Sequence, residues 1–187
     1  MDITGIVSHC VCNYSMVLPY KPGTLQEEAL MNLLYEPVTG SMVSHVAQAA
    51  RGFVPNIVPT DTGKPPPDLE VFINSVVSAS KVGTLPLLVA FVYIARAKSK
   101  LGPANYGIPT TPHRIFLASL IVSVKFLEDG THKNKKWVKY ARMNTKGATL
   151  KFSLDEVNTM EKELLGYLDY NAWIRGHELF MGLKPFQ

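Results

Sequence analysis

Apolar residues recur at helical spacing along much of the chain, in blocks separated by proline and glycine. The clearest start follows a proline-rich segment, Phe53–Pro67, which favours extended backbone over helix. Asp68 then stands where a helix N-cap belongs. The apolar positions after it share one helical face: Leu69, Phe72, Ile73, Val76 and Val77. A helix is therefore predicted from Asp68 onward.

Two segments further on are apolar on nearly every face. They run over Leu85–Ala97 and Ile115–Val124. A helix that is apolar all round belongs in the middle of a bundle. Thr84 and Thr111 are predicted to cap these two helices, with a proline in the first turn of each.

Four further patterns complete the central domain or flank it. Lys133–Ala141 is predicted to form a short helix anchored by a buried Trp137. Ser153 and Glu156 have the spacing of a capping box, and the helix they begin has an apolar stripe of Val157, Met160, Leu164, Leu165 and Leu168. An isolated helix over Pro37–Gly52, capped by Thr39 or Ser41, is predicted before the domain, and a last helical turn over His177–Gly182.

No segment has a convincing strand pattern, so the predicted fold is all-α. Five core helices are expected, with one additional N-terminal helix and one short C-terminal helix. The predicted organisation is a flexible segment over residues 1–33, the N-terminal helix and proline-rich linker over 34–67, and the five-helix domain over 68–180.

The net charge of +4 is concentrated in one part of the chain. Such a stretch could bind nucleic acid or an acidic protein surface, or it could simply be a solvated face. Few aromatic residues are interleaved with the charges, which favours the solvated face. The basic residues concerned are Lys133, Lys135, Lys136, Lys139, Arg142, Lys146 and Lys151.

The usual catalytic and metal-binding patterns do not occur in the sequence. No phosphate-binding loop and no His-Glu-x-x-His motif is present, and the five histidines are scattered. His9, Cys10 and Cys12 lie close together, but no second ligand pair follows at zinc spacing. We therefore expect no enzyme activity, no metal and no cofactor. Neither a membrane-spanning run nor a secretory signal is recognisable, so an intracellular protein is expected.

Two charged residues interrupt the most apolar helices. Lys125 follows the apolar run Leu120–Val124, and Glu161 lies within the stripe between Met160 and Leu164. A charge in such a setting is costly unless it is paired. Snorkelling to solvent would account for either charge alone. Because both interrupt apolar faces, we expect them to pair with each other or with groups of a partner.

The same region resembles the cyclin box of the fungal PCL class. The resemblance is carried by His113–Leu120 with Val124–Asp129, by Asn134-Lys135-Lys136-Trp137, and by Phe152–Leu165. Weaker similarity extends from about Leu34 to Leu179. One stretch departs from many cell-cycle cyclins: Leu69–Ile73 contains no arginine, so substrate docking at that helix is not expected.

The resemblance implies a single cyclin box that binds and activates a cyclin-dependent serine/threonine kinase. By resemblance, Lys125 and Glu161 form hydrogen bonds with the kinase, and Phe126, Leu127 and Glu128 complete the contact. It also implies a role in cell-cycle, nutrient or morphogenesis control, in the nucleus and cytoplasm. The main alternative is a cyclin-fold adaptor that binds nucleic acid or the transcription machinery without a kinase. A helical enzyme would need a polar pocket that the sequence does not indicate.

Overall fold

The computed structural model of the chain describes Gly23, Glu28, Ala29 and residues 32–60, 65–102, 104–128, 132–145 and 147–186. Within these residues the elements are seven α-helices, four short strands and a final 3₁₀ turn. They are α1 (Gly40–Arg51), β1 (Asn56–Ile57), α2 (Leu69–Ser80), α3 (Thr84–Ser99), β2 (Tyr106–Gly107), α4 (Thr111–Leu127), α5 (Asn134–Tyr140), β3 (Met143–Thr145), β4 (Ala148–Leu150), α6 (Leu154–Tyr167), α7 (Gly176–Leu183) and the turn Lys184–Phe186.

The five predicted core helices are confirmed as α2 to α6. The two most apolar of them, α3 and α4, lie at the centre and make the most extensive helix–helix contact. Leu88 on α3 and Leu120 on α4 are fully buried, as are most of their apolar neighbours. Burial on nearly all sides explains why these two helices lack a polar face.

The other helices pack around this pair. Helix α1 lies against α2, α3 and α4, α6 lies against α4 and α5, and α7 lies against α3. The sequence analysis predicted an isolated helix here, and that prediction is wrong. The buried residues of α1 belong to the same apolar core as those of the other helices. Arg51 at its end pairs with Asp68 and Glu70, each at 3.2 Å, which ties α1 to the start of α2.

Three of the predicted caps are confirmed. Thr39 caps α1 in a capping box with Met42, and the carboxylate of Asp68 accepts hydrogen bonds from the backbone of Glu70 and Val71. Ser153 and Glu156 form the capping box of α6. Each side chain satisfies backbone N–H groups that lack partners in the first helical turn.

Two predicted caps are wrong by one position. The cap of α3 is Gly83, and Thr84 is the first helical residue, whose hydroxyl donates a hydrogen bond to the carbonyl of Glu36. The cap of α4 is Thr110, while the hydroxyl of Thr111 accepts a hydrogen bond from the backbone of Ile108 at 2.9 Å. Both threonines bond to preceding segments instead of capping, and the partner of Thr84 is remote in the sequence.

The predicted all-α fold class is confirmed, although the described residues also include two pairs of short strands that the sequence pattern did not indicate. Strand β1, within the proline-rich linker, pairs in parallel with β2, and β3 pairs with β4 in an antiparallel hairpin. Pairs of two and three residues are too short to show the alternation by which strands are recognised. The N-terminal segment 1–33 and His9, Cys10 and Cys12 fall almost entirely outside the described residues.

Candidate functional site

Lys125 and Glu161 lie together, as their positions in two apolar stripes suggested. The Nζ atom of Lys125 is 2.6 Å from Oε1 and 2.8 Å from Oε2 of Glu161. The side chain of Lys125 is 32% exposed and that of Glu161 is 16% exposed. The pair is therefore at the edge of the core, where a partner could still reach its hydrogen-bonding groups.

Asn134 completes this cluster from a third helix. Its Nδ2 atom donates hydrogen bonds to Oε2 of Glu161 at 2.6 Å and to Oδ1 of Asn158 at 2.8 Å. Lys125 comes from the last turn of α4, Asn134 from the first turn of α5, and Glu161 from the middle of α6. We call these three residues the polar cluster. Its carboxylate receives three hydrogen bonds, so the cluster has a fixed geometry before any partner binds.

An apolar contact stands beside the polar cluster. Phe126, half-buried, meets Trp173 edge-to-face with ring centroids 6.2 Å apart. Trp173 is 46% exposed, so it offers a broad apolar surface. Aromatic groups of this kind dominate many protein interfaces because a large area can be buried at little entropic cost.

Two side chains of α3 hold the segment that carries Trp173. The hydroxyl of Tyr93 donates a hydrogen bond to the carbonyl of Ala172 at 2.6 Å. Arg96 donates to the carbonyls of Asn171 and Trp173 and pairs with Glu178 of α7. Burial raises the pKa of the Tyr93 phenol, which keeps it a hydrogen-bond donor. The position of Trp173 is thus fixed by the central helix.

The chain turns sharply at the end of α6 to reach that segment. Asp169 and Tyr170 both have positive φ, at 52° and 55°. The N–H of Asp169 bonds to the carbonyl of Gly166, and that of Tyr170 to the carbonyl of Leu165. This is a Schellman motif with aspartate where glycine is usual. Lys100 pairs with Asp169 at 2.6 Å and helps to hold the turn.

The two remaining predicted site residues differ in their surroundings. Leu127 is 4% exposed and belongs to the core, so its side chain offers little surface to a partner. Glu128 is half-buried just after α4, and burial raises the pKa of its carboxyl group. Among the described residues its carboxylate has no ion-pair partner. An oppositely charged group from outside would stabilise its ionised form.

A second ion pair joins α4 and α6 near the start of both helices. Arg114 pairs with Glu156, and its guanidinium group lies 5.2 Å from the ring centroid of Phe152. The backbone N–H of Ser153, and then the Arg114 guanidinium, lower the pKa of Glu156. Since Glu156 also belongs to the capping box, this pair is part of the helix start.

A cavity of about 240 Å³ lies beside this second pair. Its walls come from the early turns of α4, the later turns of α6 and the segment around β2, and they include Phe53, Tyr106 and Tyr167. Among the described residues, no group of histidine, cysteine, aspartate or glutamate side chains is arranged to hold a metal ion. None of the described helices is long and apolar enough to cross a membrane.

Sequence reasoning did not find Trp173 or its supports Tyr93 and Arg96. Trp173 stands in an irregular segment, and its partner Phe126 is distant in the sequence. Arg96, a charge at the end of an otherwise apolar helix, was the available signal.

Comparison with known proteins agrees with this architecture. The family model described as Cyclin, N-terminal domain, matches residues 67–172, more than half of the chain. The chain belongs to the cyclin family. The matched range covers all five core helices and ends at the segment that carries Trp173.

Three proteins of Saccharomyces cerevisiae are similar to this cyclin over most of its length. PHO85 cyclin-2 is 37% identical over 85% of this chain and 50% of its own length. PHO85 cyclin-9 is 37% identical over 85% of this chain and 51% of its own length. PHO85 cyclin-1 is 35% identical over 84% of this chain and 57% of its own length. These similarities confirm the resemblance to the PCL class, and the chain spans about half the length of the relatives it matches.

Proposed function

We propose that this cyclin binds and activates a cyclin-dependent serine/threonine kinase through the polar cluster and the apolar surface beside it. The observation that carries the proposal is the hydrogen-bonded arrangement of Lys125, Asn134 and Glu161 next to Phe126 and Trp173. The relatives carry the name PHO85 cyclin. The partner we assign is therefore a cyclin-dependent kinase.

Each site residue has a defined part in this proposal. Lys125 and Glu161 offer their remaining hydrogen-bonding groups to loop and backbone groups of the kinase. Phe126, with Trp173, receives apolar side chains of the kinase's regulatory helix. Leu127 acts indirectly by packing the last turn of α4. Glu128 meets a cation of the kinase, which removes the cost of its half-buried charge.

Activation would follow from the position that the cyclin imposes on the regulatory helix. In the bound kinase this helix turns inward, so that its glutamate pairs with the lysine that positions ATP. The cyclin then contributes no catalytic group and needs no cofactor. As a kinase subunit in cell-cycle, nutrient or morphogenesis control, it would act in the nucleus and cytoplasm, which imaging of a fluorescent fusion would test.

The test begins by identifying the kinase that co-purifies with the full chain. Its affinity for the purified cyclin and its activity on a peptide substrate are then measured for Lys125→Ala and Glu161→Ala. We expect each variant to lose at least tenfold in affinity, because groups in a central, fixed cluster carry much of an interface's energy. Both should melt within a few degrees of the parent.

Arg114→Ala is the matched control, since it removes a cation that joins the same two helices outside the proposed site. It should leave the kinase affinity unchanged. Equal affinity of the parent and both Lys125→Ala and Glu161→Ala would contradict the proposed site. Failure of the parent cyclin to bind any kinase would contradict the function itself.

The alternative is a cyclin-fold adaptor that binds nucleic acid, supported by the basic stretch after α4. Its binding would weaken steeply with salt because counterions are released from the nucleic acid. A kinase complex with a large apolar component should be much less sensitive. Titrating salt from about 50 to 200 mM in both assays separates the two functions.

A further inference from the structure

The stretch of this cyclin from α5 to the start of α6 carries an excess of positive charge. Between Gly130 and Leu154 the sequence has seven lysine and arginine residues and no aspartate or glutamate. Six of the seven are described, and all six are exposed. We call them the basic face; its members are Lys133, Lys135, Lys136, Lys139, Arg142 and Lys151.

No carboxylate of the described residues neutralises the basic face, since none forms an ion pair with any of its six cations. The Nζ atom of Lys136 lies 3.3 Å from Nδ1 of His132, a neutral or cationic group and not a carboxylate. Elsewhere, Arg51, Arg96 and Arg114 all lie against carboxylates. An unpaired cationic surface of this extent attracts an anionic partner over several ångströms.

The arrangement of the charges favours a partner with several anionic groups. Lys135 and Lys139 stand one turn apart on α5, and Arg142 follows in the turn after the helix. Neighbours at this spacing are about 5–6 Å apart at Cβ. All are exposed, and no buried group of cations converges on one point as a single phosphate would require. A row of separate charges suits an extended run of carboxylates.

The surroundings of the row favour a polypeptide over a nucleic acid. Trp137 is fully buried, and Tyr140 packs edge-to-face on it with ring centroids 5.6 Å apart. The ring centroids of His132 and Tyr140 are 5.5 Å apart. These rings pack on one another and are at most half-exposed, which leaves little ring surface for stacking with bases. Helix α5 has seven residues and packs on α2 and α6, so it does not project as a groove-reading helix would.

The basic face also adjoins the polar cluster. Asn134, which bonds to Glu161, is the first residue of α5, with Lys133 before it and Lys135 after it. A polypeptide held along α5 would therefore begin or end beside the surface proposed for the kinase. This continuity indicates that both surfaces serve one assembly.

We infer that the basic face docks an acidic segment, rich in aspartate and glutamate, of another polypeptide. Resting on the proposed function, we assign this segment to a substrate of the bound kinase. The cyclin would then raise the local concentration of that substrate near the kinase. Exposed charge pairs are individually weak, so affinity would come from several together.

The binding test uses the full chain and a labelled peptide of twelve residues with six glutamates. A second peptide has glutamine at those six positions, and a duplex DNA of twenty base pairs is the third probe. We expect the acidic peptide to bind more tightly than the glutamine peptide and to lose affinity as salt rises. Lys135→Gln, Lys136→Gln and Lys139→Gln combined should weaken it about tenfold.

The matched control variant combines Lys81→Gln, Lys98→Gln and Arg175→Gln, which removes the same charge from exposed positions elsewhere. It should retain the parent's affinity for the acidic peptide. Equal loss in both triple variants would overturn the inference, since net charge alone would then explain binding. Tighter binding of the DNA than of the acidic peptide, lost only in the basic-face variant, would also overturn it.

A kinase assay separates this inference from the proposed function. With the kinase bound, a substrate peptide that carries an acidic tail should have a lower KM than one with a glutamine tail. The basic-face variant should abolish that difference and leave kinase affinity unchanged. A kinase that binds normally but shows no tail preference contradicts only the docking inference.

Discussion

Two ion pairs join the same two helices, α4 and α6, yet their surroundings differ. Arg114 and Glu156 lie where both helices start, and Glu156 is also bound by the backbone N–H of Ser153. Lys125 and Glu161 lie further along, where Asn134 joins them from a third helix and an exposed Trp173 stands beside a neighbouring Phe126. The first pair serves the start of a helix. The second pair lies at a surface that contributes little else to the stability of the fold.

Ion pairs between packed helices can therefore have different roles, depending on which neighbouring groups complete the hydrogen bonds of their side chains. Residue spacing alone does not separate the two pairs, since each joins a basic residue on α4 to a glutamate on α6. The surroundings do: a cap in one case and an exposed aromatic contact in the other. The four predictions below test this difference.

The largest effect is expected at Leu120, which stands between the basic residues of the two ion pairs along α4. This side chain is fully buried in the centre of the helix. Leu120→Ala should lower the free energy of unfolding by about 2–5 kcal/mol, because it leaves a cavity in a close-packed core. Chemical denaturation measures this. A smaller loss than that of Arg114→Ala would mean that the ion pairs, not the core, hold α4 and α6 together.

The second prediction compares the stability cost of breaking each of the two ion pairs. Glu156→Ala removes a capping interaction and an ion pair, and should cost about 1–2 kcal/mol. Lys125→Ala should cost no more than about 1 kcal/mol, because the pair is partly exposed and screened by solvent. Denaturation of both variants provides the values. A greater loss in Lys125→Ala would assign the second pair to the fold.

The third prediction concerns pH. The folded pKa of Glu156 is below its ordinary value of 4.5. Its contribution to stability is therefore present above pH 4.5 and is lost as the pH falls through the folded pKa. The difference in unfolding free energy between the parent and Glu156→Gln should shrink between about pH 5 and pH 3. A difference that is constant over this range would contradict the assigned cause.

The smallest effect is expected at Glu128. Burial raises its folded pKa, so stability associated with its protonated form is lost as the pH rises through that pKa. Glu128→Gln should therefore leave stability at pH 7 unchanged or raise it by up to about 1 kcal/mol. On the proposed function, kinase affinity should nevertheless fall, because a cation of the kinase would lose its counter-charge. A destabilised variant would instead indicate an internal partner.

Much of this architecture was predictable from local pattern. The period of apolar residues located α2, α3, α4 and α6, and Trp137 located α5, because buried faces must repeat at the helical period. The caps at Thr39, Asp68 and Ser153 were predictable because a side chain two or three residues away satisfies the backbone. The pairing of Lys125 with Glu161 followed from two costly charges on apolar faces.

Contacts between distant segments were decided only in the tertiary structure. Thr84 bonds to Glu36 and β1 pairs with β2, and neither contact leaves a periodic signal in the sequence. Trp173 becomes part of a surface because Tyr93 and Arg96 hold its backbone and Phe126 meets its ring. Sequence by itself determined the helices, since their periodicity is local. Which exposed groups share one surface depended on how those helices cross, because packing brings together residues that are remote in the chain.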